Sequence, residues 1–402
     1  MIELLIIAVS LLLFAIGVYV AYSALILRTR KKDAYFRFFD ETIKKPVNPE
    51  SLPPVSILIP AYNEAETIYE KLKNISEFTY PKDKITIFVL NDASTDQTVE
   101  LAQKGFNDFK LNGQILHNEH RTGVNVSYNR AMAQMKSEYV MTTDADAIIP
   151  PESLLNLTKI LLEKTDVGAL AAKMIPAFNN VTSATRTADA YSNSYNSMLL
   201  AESAIASTFP GSTSCLLMRR VAYSSISTSR GSSDGNISLT IIRNGFKFLL
   251  APNIVYYEPV TEKIMEQRRQ KIRRATRLIQ SVVLNRNIRS GNNKNSFTNI
   301  IFPLRFLMMT VCPIILLLST LLFFLSILVI SPSVFATLLL ISTITIILGV
   351  KGSFEVPNFI VSFIIHQLYL CVGLILSYRT MPTWKKIERK LLSENVLKQS
   401  EV

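Results

Sequence analysis

The chain has 402 residues, of which 49% are hydrophobic and 18% are charged. This length favours two or three structural units, and the hydrophobic share fits a polar domain joined to membrane-spanning segments. The net charge of +12 suits anionic lipid, an anionic substrate or nucleic acid, so charge alone decides nothing. The three cysteines lie far apart and form no CxxC or Cys/His metal spacing, which argues against a disulfide scaffold.

The N-terminal segment, residues 2–27, is almost wholly apolar, with Glu3 as its one acid. About 20 apolar residues are enough to cross a bilayer. A cleaved signal peptide would begin with positive charge, whereas here the basic residues follow the segment, within 28–32. The positive-inside rule therefore predicts that residues 1–32 are a retained anchor with the N-terminus outside, and that residues 33–260 form a cytoplasmic domain.

Short apolar runs alternate with helical stretches in the next part of the chain. The expected strands are residues 55–60, 84–90, 114–117 and 139–143, and the expected helices are 63–77, 95–104 and 126–135. This alternation is typical of βαβ units and of an α/β sheet with helices on both faces. Ligands of such sheets bind beyond the carboxyl ends of the strands. Residues 155–260 look mixed α/β and end in two expected short strands, 246–251 and 254–257.

The C-terminal third combines basic and apolar segments. Residues 262–290 have the composition of a basic amphipathic helix at a membrane surface, although an ordinary solvated helix face has the same periodicity. Apolar segments follow at 297–308, 310–330, 334–350 and 359–378. We expect amphipathic interface helices over 261–308, about three spans over 309–380 and a basic polar tail over 381–402. Three spans would put this tail outside, whereas its positive charge favours the inside; the sequence leaves this open.

Polar clusters follow three of the expected strands. Asp144 and Asp146 come directly after one of them, and two carboxylates at i and i+2 can converge on Mg²⁺ or Mn²⁺, which bridge phosphate oxygens. Acidic pairs are also common in turns, so this pattern is weak alone. Asp92 follows another strand, where an acid commonly hydrogen-bonds a ribose or serves in a turn. The AYNE cluster after the first strand also suits a capped helix start.

Together, three strings resemble the family-2 inverting glycosyltransferases of GT-A fold. They are VSILIPAYNEAETI, FVLNDASTDQT and YVMTTDADAIIPP, in this order. The likeness covers roughly residues 55–290 and continues into the apolar segments, a layout similar to the synthases of cellulose, hyaluronan and poly-N-acetylglucosamine. The resemblance implies a GT-A type nucleotide-sugar-binding domain, a nucleotide-sugar donor, UDP-linked for preference, and Mg²⁺ or Mn²⁺ as cofactor.

The resemblance also implies roles for individual residues. The nucleotide-sugar site would comprise Ala61, Tyr62, Glu64, Asp92, Asp144 and Arg273. The metal would be held by Asp146 and Asp144. The acceptor site would comprise Pro210, Gly211, Ser212, Gln270 and Arg274. Asp234 would be the catalytic base, because inversion needs one group to take the proton of the acceptor hydroxyl; the alternative is that Asp234 caps a helix.

The chain departs from the family pattern at three positions. Ser233 replaces the first of an acidic pair and leaves Asp234. Arg274 stands where the family has the Trp of Gln-x-x-Arg-Trp, which removes a stacking platform for an acceptor sugar and argues against a long-polymer acceptor. Val124 stands at a Lys position, so that one phosphate-facing charge is missing or is supplied elsewhere, for example by Arg121.

Three functions remain open at this point. They are a synthase that extends a polysaccharide at the cytoplasmic membrane face, a transferase that moves one sugar to a lipid phosphate or lipid-linked oligosaccharide, and a non-catalytic membrane binding protein. The set of strand-end carboxylates and Asp234 argues against the third. Positive charge beside apolar runs favours a membrane surface over nucleic acid. We expect a multi-pass cell-membrane protein and a metal-dependent hexosyl- or acetylhexosaminyl-transferase, with a glycan or lipid-linked acceptor and the lipid bilayer as partners.

Overall fold

The computed structural model describes residues 2–29, 33–210, 213–288, 295–351 and 355–380. Within them one sheet contains the strands β1 (Val55–Ala61), β2 (Ile85–Asn91), β3 (Gly113–His117), β4 (Tyr139–Thr142), β5 (Val167–Ala177), β6 (Leu216–Arg219) and β7 (Lys247–Pro259). Their order across the sheet is β3-β2-β1-β4-β6-β5-β7.

The sheet is mixed rather than wholly parallel. β1 pairs in parallel with β2 and β4, and β2 pairs in parallel with β3, so the carboxyl ends of these four strands meet at one edge. β6 runs antiparallel to both β4 and β5. The two short strands expected at 246–251 and 254–257 are one strand, β7, whose pairing with β5 shifts register twice.

The helices of the described residues are α1 (Ile2–Thr29), α2 (Asp33–Lys44), α3 (Ile68–Ser76), α4 (Thr98–Asp108), α5 (Val124–Gln134), α6 (Ser153–Glu163), α7 (Ser183–Ile205), α8 (Ser233–Arg243), α9 (Ile264–Leu284), α10 (Phe302–Thr310), α11 (Cys312–Ile330), α12 (Pro332–Lys351) and α13 (Glu355–Ser377). The sequence predictions did not include α2 or α7. α7 begins with a capping box between Thr182 and Thr185, which satisfies its first backbone N–H groups.

The core lies on both faces of the sheet, as the alternation of elements predicted. Successive strand residues point to opposite faces, so Ile57 and Ile59 join one buried cluster and Leu58 joins the other. Helices α3, α4 and α6 cover the first face, and α5 and α8 cover the second. The apolar runs of the strands are continuous because both faces are buried.

The loops after β1 and β2 are interlocked. Asn63 adopts a left-handed φ of 55°, its backbone N–H donates to Ser94 Oγ at 3.1 Å, and its Oδ1 accepts from the Thr95 N–H at 2.8 Å. The helix predicted from residue 63 therefore begins later, as α3, because hydrogen bonds between the loops hold the preceding residues in a turn.

Four helices, α1, α11, α12 and α13, are long and apolar enough to cross a membrane in the described part of the chain. α1 packs along α11, and α13 packs along α9. The segment predicted at the interface forms a π-helical turn, Phe297–Ile301, followed by α10.

The last of these apolar helices, α13, ends against the sheet domain. Arg230 donates to the Tyr378 carbonyl at 3.2 Å. Gln280 donates to the carbonyls of Ser377 at 3.0 Å and Arg379 at 2.8 Å. The basic tail predicted at 381–402 lies outside the described residues.

Candidate active site

The polar clusters after β1, β2 and β4 meet at one edge of the sheet. Tyr62 and Glu64 follow β1, Asp92 follows β2, and the pair Asp144 and Asp146 follows β4. The parallel register brings them together, as expected for ligand sites in α/β sheets.

Ala61 ends β1 with its side chain in the core. The residue is 3% exposed, and its carbonyl accepts from the Asp92 N–H at 2.9 Å. A ligand at this edge would therefore meet the chain beyond Ala61 rather than its methyl group.

The Asp92 carboxylate anchors the loop that leads into α5. One oxygen accepts from the Thr122 N–H at 2.8 Å and from Asn118 Nδ2 at 2.8 Å, and the other accepts from the Gly123 N–H at 2.9 Å. Two backbone N–H bonds to one carboxylate form a charge-assisted arrangement. Asp92 is thus a loop anchor at the ligand edge, and its contact with a uridine stays a prediction.

Tyr62 carries a cation on its ring. The guanidinium carbon of Arg121 lies 3.7 Å from the ring centroid, within the range of a cation–π contact. This stack places a positive charge at the ligand edge. The charge lies near Val124, which stands where the family pattern has a lysine. Glu64, on the same loop as Tyr62, accepts from Thr67 Oγ1 at 3.0 Å.

The two aspartates after β4 are half-buried. Asp144 accepts from Ser214 Oγ at 2.7 Å. Among the residues described, no group of three or more His, Cys, Asp or Glu side chains could hold a metal ion. Mg²⁺ and related ions commonly bind one or two carboxylates together with substrate phosphates. Asp144 and Asp146 therefore fit a metal that is completed by a diphosphate.

A buried lysine lies beneath this aspartate loop. Lys71 is 2% exposed, and its Nζ donates to the Ala147 carbonyl at 2.8 Å. Asn74, one turn further along α3, donates to the Ile149 carbonyl at 2.8 Å. Burial lowers the pKa of Lys71 to about 8, and nearby acidic groups oppose that shift. α3 therefore fixes the loop through its backbone.

Asp234 lies in the first turn of α8 without capping it. The cap is Ser232, whose Oγ accepts from the Gly235 N–H at 3.1 Å. The Asp234 carboxyl instead accepts from the Thr213 N–H at 3.1 Å. Burial, and then the charge of Asp144, raises the pKa of Asp234 to about 8. The helix-cap alternative is thus wrong, and a carboxyl with this pKa suits a general base near neutral pH.

The expected acceptor loop is described in part. Pro210 is buried, whereas Gly211 and Ser212 lie outside the described residues. The chain just after them bridges the two acidic positions, because Thr213 contacts Asp234 and the next residue contacts Asp144.

Of the two acceptor residues expected on α9, Arg274 lies near the same site. Gln270 is 8% exposed and Arg273 is half-buried. Arg274 forms an ion pair with Glu258, with 2.6 Å between Nη2 and Oε1, and its charge lies near Asp234. The role of Arg273 toward a diphosphate stays a prediction.

Sequence reasoning missed several residues of this site. Lys71 occupies a core-facing position of an i, i+3, i+4, i+7 pattern in α3. A lysine at such a position is unusual, so the sequence alone could have indicated a buried charge there. Ser214 lies just before β6 and Glu258 lies within β7, and both are buried polar residues. Tyr128 carried no such signal; it is buried on α5 near Asp144.

Comparisons with known proteins agree with this geometry. Residues 56–226 match the family described as Glycosyl transferase family 2. The chain is 28% identical to the Probable glycosyltransferase YdaM of Bacillus subtilis (strain 168), over 35% of this chain and 34% of that protein. It is 31% identical to the poly-beta-1,6-N-acetyl-D-glucosamine synthase of Staphylococcus aureus (strain COL), over 35% of this chain and 33% of that protein. These matches span about a third of each relative.

A solved structure extends the likeness to the fold of most of the chain. It is the mannosyltransferase PcManGT from Pyrobaculum calidifontis in complex with GDP-Man and Mn²⁺. The TM-score is 0.69 at 24% identity, with 92% of this chain and 99% of that chain covered. At this identity the likeness concerns the fold, and it confirms the predicted α/β architecture of GT-A type.

Proposed function

Residues 56–226 form a glycosyl transferase family 2 domain, and on this premise we propose that the chain is an inverting glycosyltransferase. The proposed donor is a UDP-sugar, and the proposed acceptor is a hydroxyl of a polysaccharide at the cytoplasmic membrane face. The observation that carries the proposal is Asp234, a carboxyl with a pKa raised to about 8 between the acceptor loop and the aspartate pair after β4.

Asp234 would act as the base. As the acceptor oxygen forms a bond to the anomeric carbon, the hydroxyl proton passes to the Asp234 carboxylate. The bond from that carbon to the diphosphate oxygen breaks at the opposite face, and the nucleoside diphosphate leaves with the electron pair. Attack opposite the leaving group inverts the configuration. The Thr213 N–H, which donates to the Asp234 carboxyl at 3.1 Å, would orient the base.

The donor side of the site would be formed by the strand-end loops. Asp144 and Asp146 would hold the divalent metal, which when bound would neutralise charge on the departing diphosphate. The Tyr62–Arg121 stack would border the nucleotide. Arg273, half-buried on α9, would approach the diphosphate, because guanidinium groups bind phosphate oxygens bidentately.

We propose a multi-pass membrane protein whose sheet domain lies on the cytoplasmic face. The four apolar helices and the basic residues that follow α1 support a cytoplasmic sheet domain over 33–260, joined through interface helices over 261–308 to the spans over 309–380.

A second candidate function is transfer of one sugar to a lipid phosphate or a lipid-linked oligosaccharide. Arg274 favours it, because this residue is held by Glu258 at 2.6 Å and offers no aromatic platform for a polymer acceptor.

The test uses the full-length protein in detergent with a panel of UDP- and GDP-sugars, Mn²⁺ or Mg²⁺, and membrane lipids. We expect metal-dependent release of the nucleotide and a labelled glycan product of high mass; an organic-extractable product would support the second candidate. Asp234→Asn should lower kcat by roughly 10²–10⁴-fold. Asp146→Ala should abolish the metal-dependent turnover. Asp166→Asn, which removes a half-exposed carboxylate paired with Lys247, should change neither. The proposal fails if Asp146→Ala matches the wild type.

A further inference from the structure

The turn that leads into α8 is bound to α9 through two consecutive side chains. The Gly231 N–H donates to Gln280 Oε1 at 3.0 Å. The Ser232 N–H donates to Ser281 Oγ at 3.1 Å. The proposed base, Asp234, follows directly in the first turn of α8. The path of the chain into the base is therefore fixed by α9.

The same turn is held from the side of α8. Gly231 has a left-handed φ of 81°, a conformation that favours glycine. A Cβ there would lie 2.6 Å from both Asn236 Nδ2 and Ser281 Oγ. Asn236 Nδ2 donates to the Arg230 carbonyl at 2.8 Å. Because the turn and α8 pack so closely, a displacement of Gly231 would move the start of α8 with it.

Gln280 also holds the C-terminal end of α13. Its Nε2 donates to the carbonyls of Ser377 at 3.0 Å and Arg379 at 2.8 Å. The last carbonyls of a helix lack partners within that helix, so these bonds satisfy groups that would otherwise need water. Gln280 is 2% exposed. Its buried carboxamide thus uses its donor end on α13 and its acceptor end on the turn before α8.

A second contact joins the same two segments. Arg230, the residue before Gly231, donates from its guanidinium to the Tyr378 carbonyl at 3.2 Å. The end of α13 therefore contacts the turn before α8 both directly, through Arg230, and indirectly, through Gln280.

The position of the Asp234 carboxyl depends on this turn. The carboxyl accepts from the Thr213 N–H at 3.1 Å. The next residue, Gly235, packs on α9, where an added Cβ would lie 2.9 Å from Ser281 Oγ. A general base must lie within hydrogen-bond distance of the proton that it takes, and misplacement by about 1 Å can lower a rate about 10²-fold. Contacts that fix the turn therefore bear on the chemical step.

Resting on the proposed function, we infer that Gln280 is a positioning residue, which aligns Asp234 with the acceptor hydroxyl by fixing the turn before α8 to the C-terminal end of α13. Its carboxamide touches neither substrate and acts through Gly231. The nucleotide contacts proposed on the loops after β1, β2 and β4 lie on other segments. The rate of sugar transfer therefore depends on the docked end of α13, whereas the affinity for the nucleotide does not.

The experiment uses the full-length protein in detergent with Mn²⁺, membrane lipids and the UDP- or GDP-sugar that gives the fastest nucleotide release. Gln280→Met keeps the length of the side chain and removes its three hydrogen bonds. We expect kcat to fall about ten- to hundredfold, with the donor KM within about twofold of the wild type. The Kd of the matching nucleoside diphosphate, measured by calorimetry, should also stay at the wild-type value.

Arg230→Gln removes only the direct contact with α13. It should lower kcat about two- to tenfold, the effect of one hydrogen bond, and leave the donor KM unchanged. The double variant Arg230→Gln/Gln280→Met should have the kcat of Gln280→Met alone, because that substitution has already released the end of α13. Such non-additivity is expected of residues that act through one shared contact.

Asn244→Ala is the matched control. Asn244 follows α8 at its other end, and its Nδ2 donates to the Ala222 carbonyl at 3.0 Å. The variant thus also removes an amide contact between α8 and another segment, but one that is distant from Asp234 along the helix. Its kcat should equal that of the wild type.

The inference is overturned if Gln280→Met lowers kcat no more than Asn244→Ala does, or if it weakens the nucleotide Kd as much as it lowers kcat. It is also overturned if the two substitutions lower kcat multiplicatively. If Gln280→Met shows no cooperative melting, the half-buried Arg230 decides, and a wild-type kcat in Arg230→Gln overturns the inference. Failure of the proposed function is distinct, because the wild type itself would then release no nucleotide.

Discussion

Asp234 owes its proposed role to its neighbours rather than to its position in the sequence. Ser232 caps α8 and leaves the Asp234 carboxyl directed at the Thr213 N–H, 3.1 Å away. Burial disfavours its ionised form, and the Asp144 carboxylate adds to that effect, whereas the Thr213 bond and Arg274 oppose it. An ordinary aspartate would be a weak base at neutral pH, and this environment raises its proton affinity toward the range that suits base catalysis there.

The pH dependence of catalysis tests this environment. Because the base must be ionised, we expect kcat/KM to rise with pH through a midpoint near 8, the pKa of Asp234. Arg274→Gln should raise that midpoint, since it removes a neighbouring positive charge that lowers the pKa of Asp234. A pH–rate profile of both proteins measures this. A wild-type midpoint near 4, or an unshifted midpoint in the variant, would contradict the assignment.

Stability provides an independent check on the same pKa. The folded-state pKa of Asp234 lies above its ordinary value near 4, so ionisation costs folding free energy increasingly as pH rises from about 4 to about 8. The variant Asp234→Asn carries no such cost. We expect it to raise the apparent Tm relative to wild type more at about pH 9 than at about pH 6; equal increments would argue against the shift.

At the scale of elements, a buried carboxylate joins three helices. Glu202 of α7 accepts from Tyr22 of α1 at 2.5 Å, from Thr208 at 2.5 Å and from Arg305 of α10 at 3.0 Å. Arg305 also donates to the Phe209 carbonyl at 3.2 Å. The side chains of Glu202 and Arg305 are 0% and 5% exposed. The network ties α1 and α10 to Thr208 and Phe209, just before the proposed acceptor loop.

Removing one member of the Glu202–Arg305 ion pair should lower the free energy of unfolding more than replacing both members. Arg305→Met leaves the Glu202 carboxylate buried without its cation and should destabilise the fold by about 3–5 kcal/mol. The double variant Glu202→Met/Arg305→Met removes both charges and should recover most of that loss. Thermal unfolding in detergent should rank the single variant lowest. If the single and double variants melt together, the two side chains are not coupled.

At the scale of the whole molecule, the end of α13 bears on the number of membrane crossings. Three full crossings after the sheet domain would carry residue 379 to the opposite side of the membrane. Yet the carbonyls of Tyr378 and Arg379 accept hydrogen bonds from Arg230 and Gln280 of the sheet domain and α9. We therefore propose an even number of complete crossings among α11, α12 and α13, which also accords with the positive charge of the tail.

Cysteine labelling in sealed vesicles tests this topology. In a background with the native cysteines replaced, Arg379→Cys should react with a membrane-impermeant maleimide from the same side as Val221→Cys on the sheet domain. Val221 is 71% exposed. Ile2→Cys, at the start of α1, should react from the opposite side. Labelling of position 379 together with position 2 would show an odd number of crossings.

The sequence by itself determined the elements that depend on local pattern and on solvent. The apolar runs of β1, β2 and β4 predicted strands buried on both faces, and the polar residues after them predicted a ligand edge. The long apolar segments predicted the four candidate spans. Local sequence is enough for these predictions. A strand buried on both faces requires a short continuous apolar run, and a helix that can span a bilayer requires a long one, so each is visible within a single segment.

Contacts between distant segments decided the rest. The antiparallel β6 and the late start of α3 follow from hydrogen bonds across the fold, which no local pattern displays. The raised pKa of Asp234 and the buried Lys71 likewise depend on which side chains the packed helices exclude from water. Desolvation and through-space charge are properties of the assembled molecule. The sequence could therefore predict where the site lies, whereas the pKa values of its groups depend on the tertiary structure.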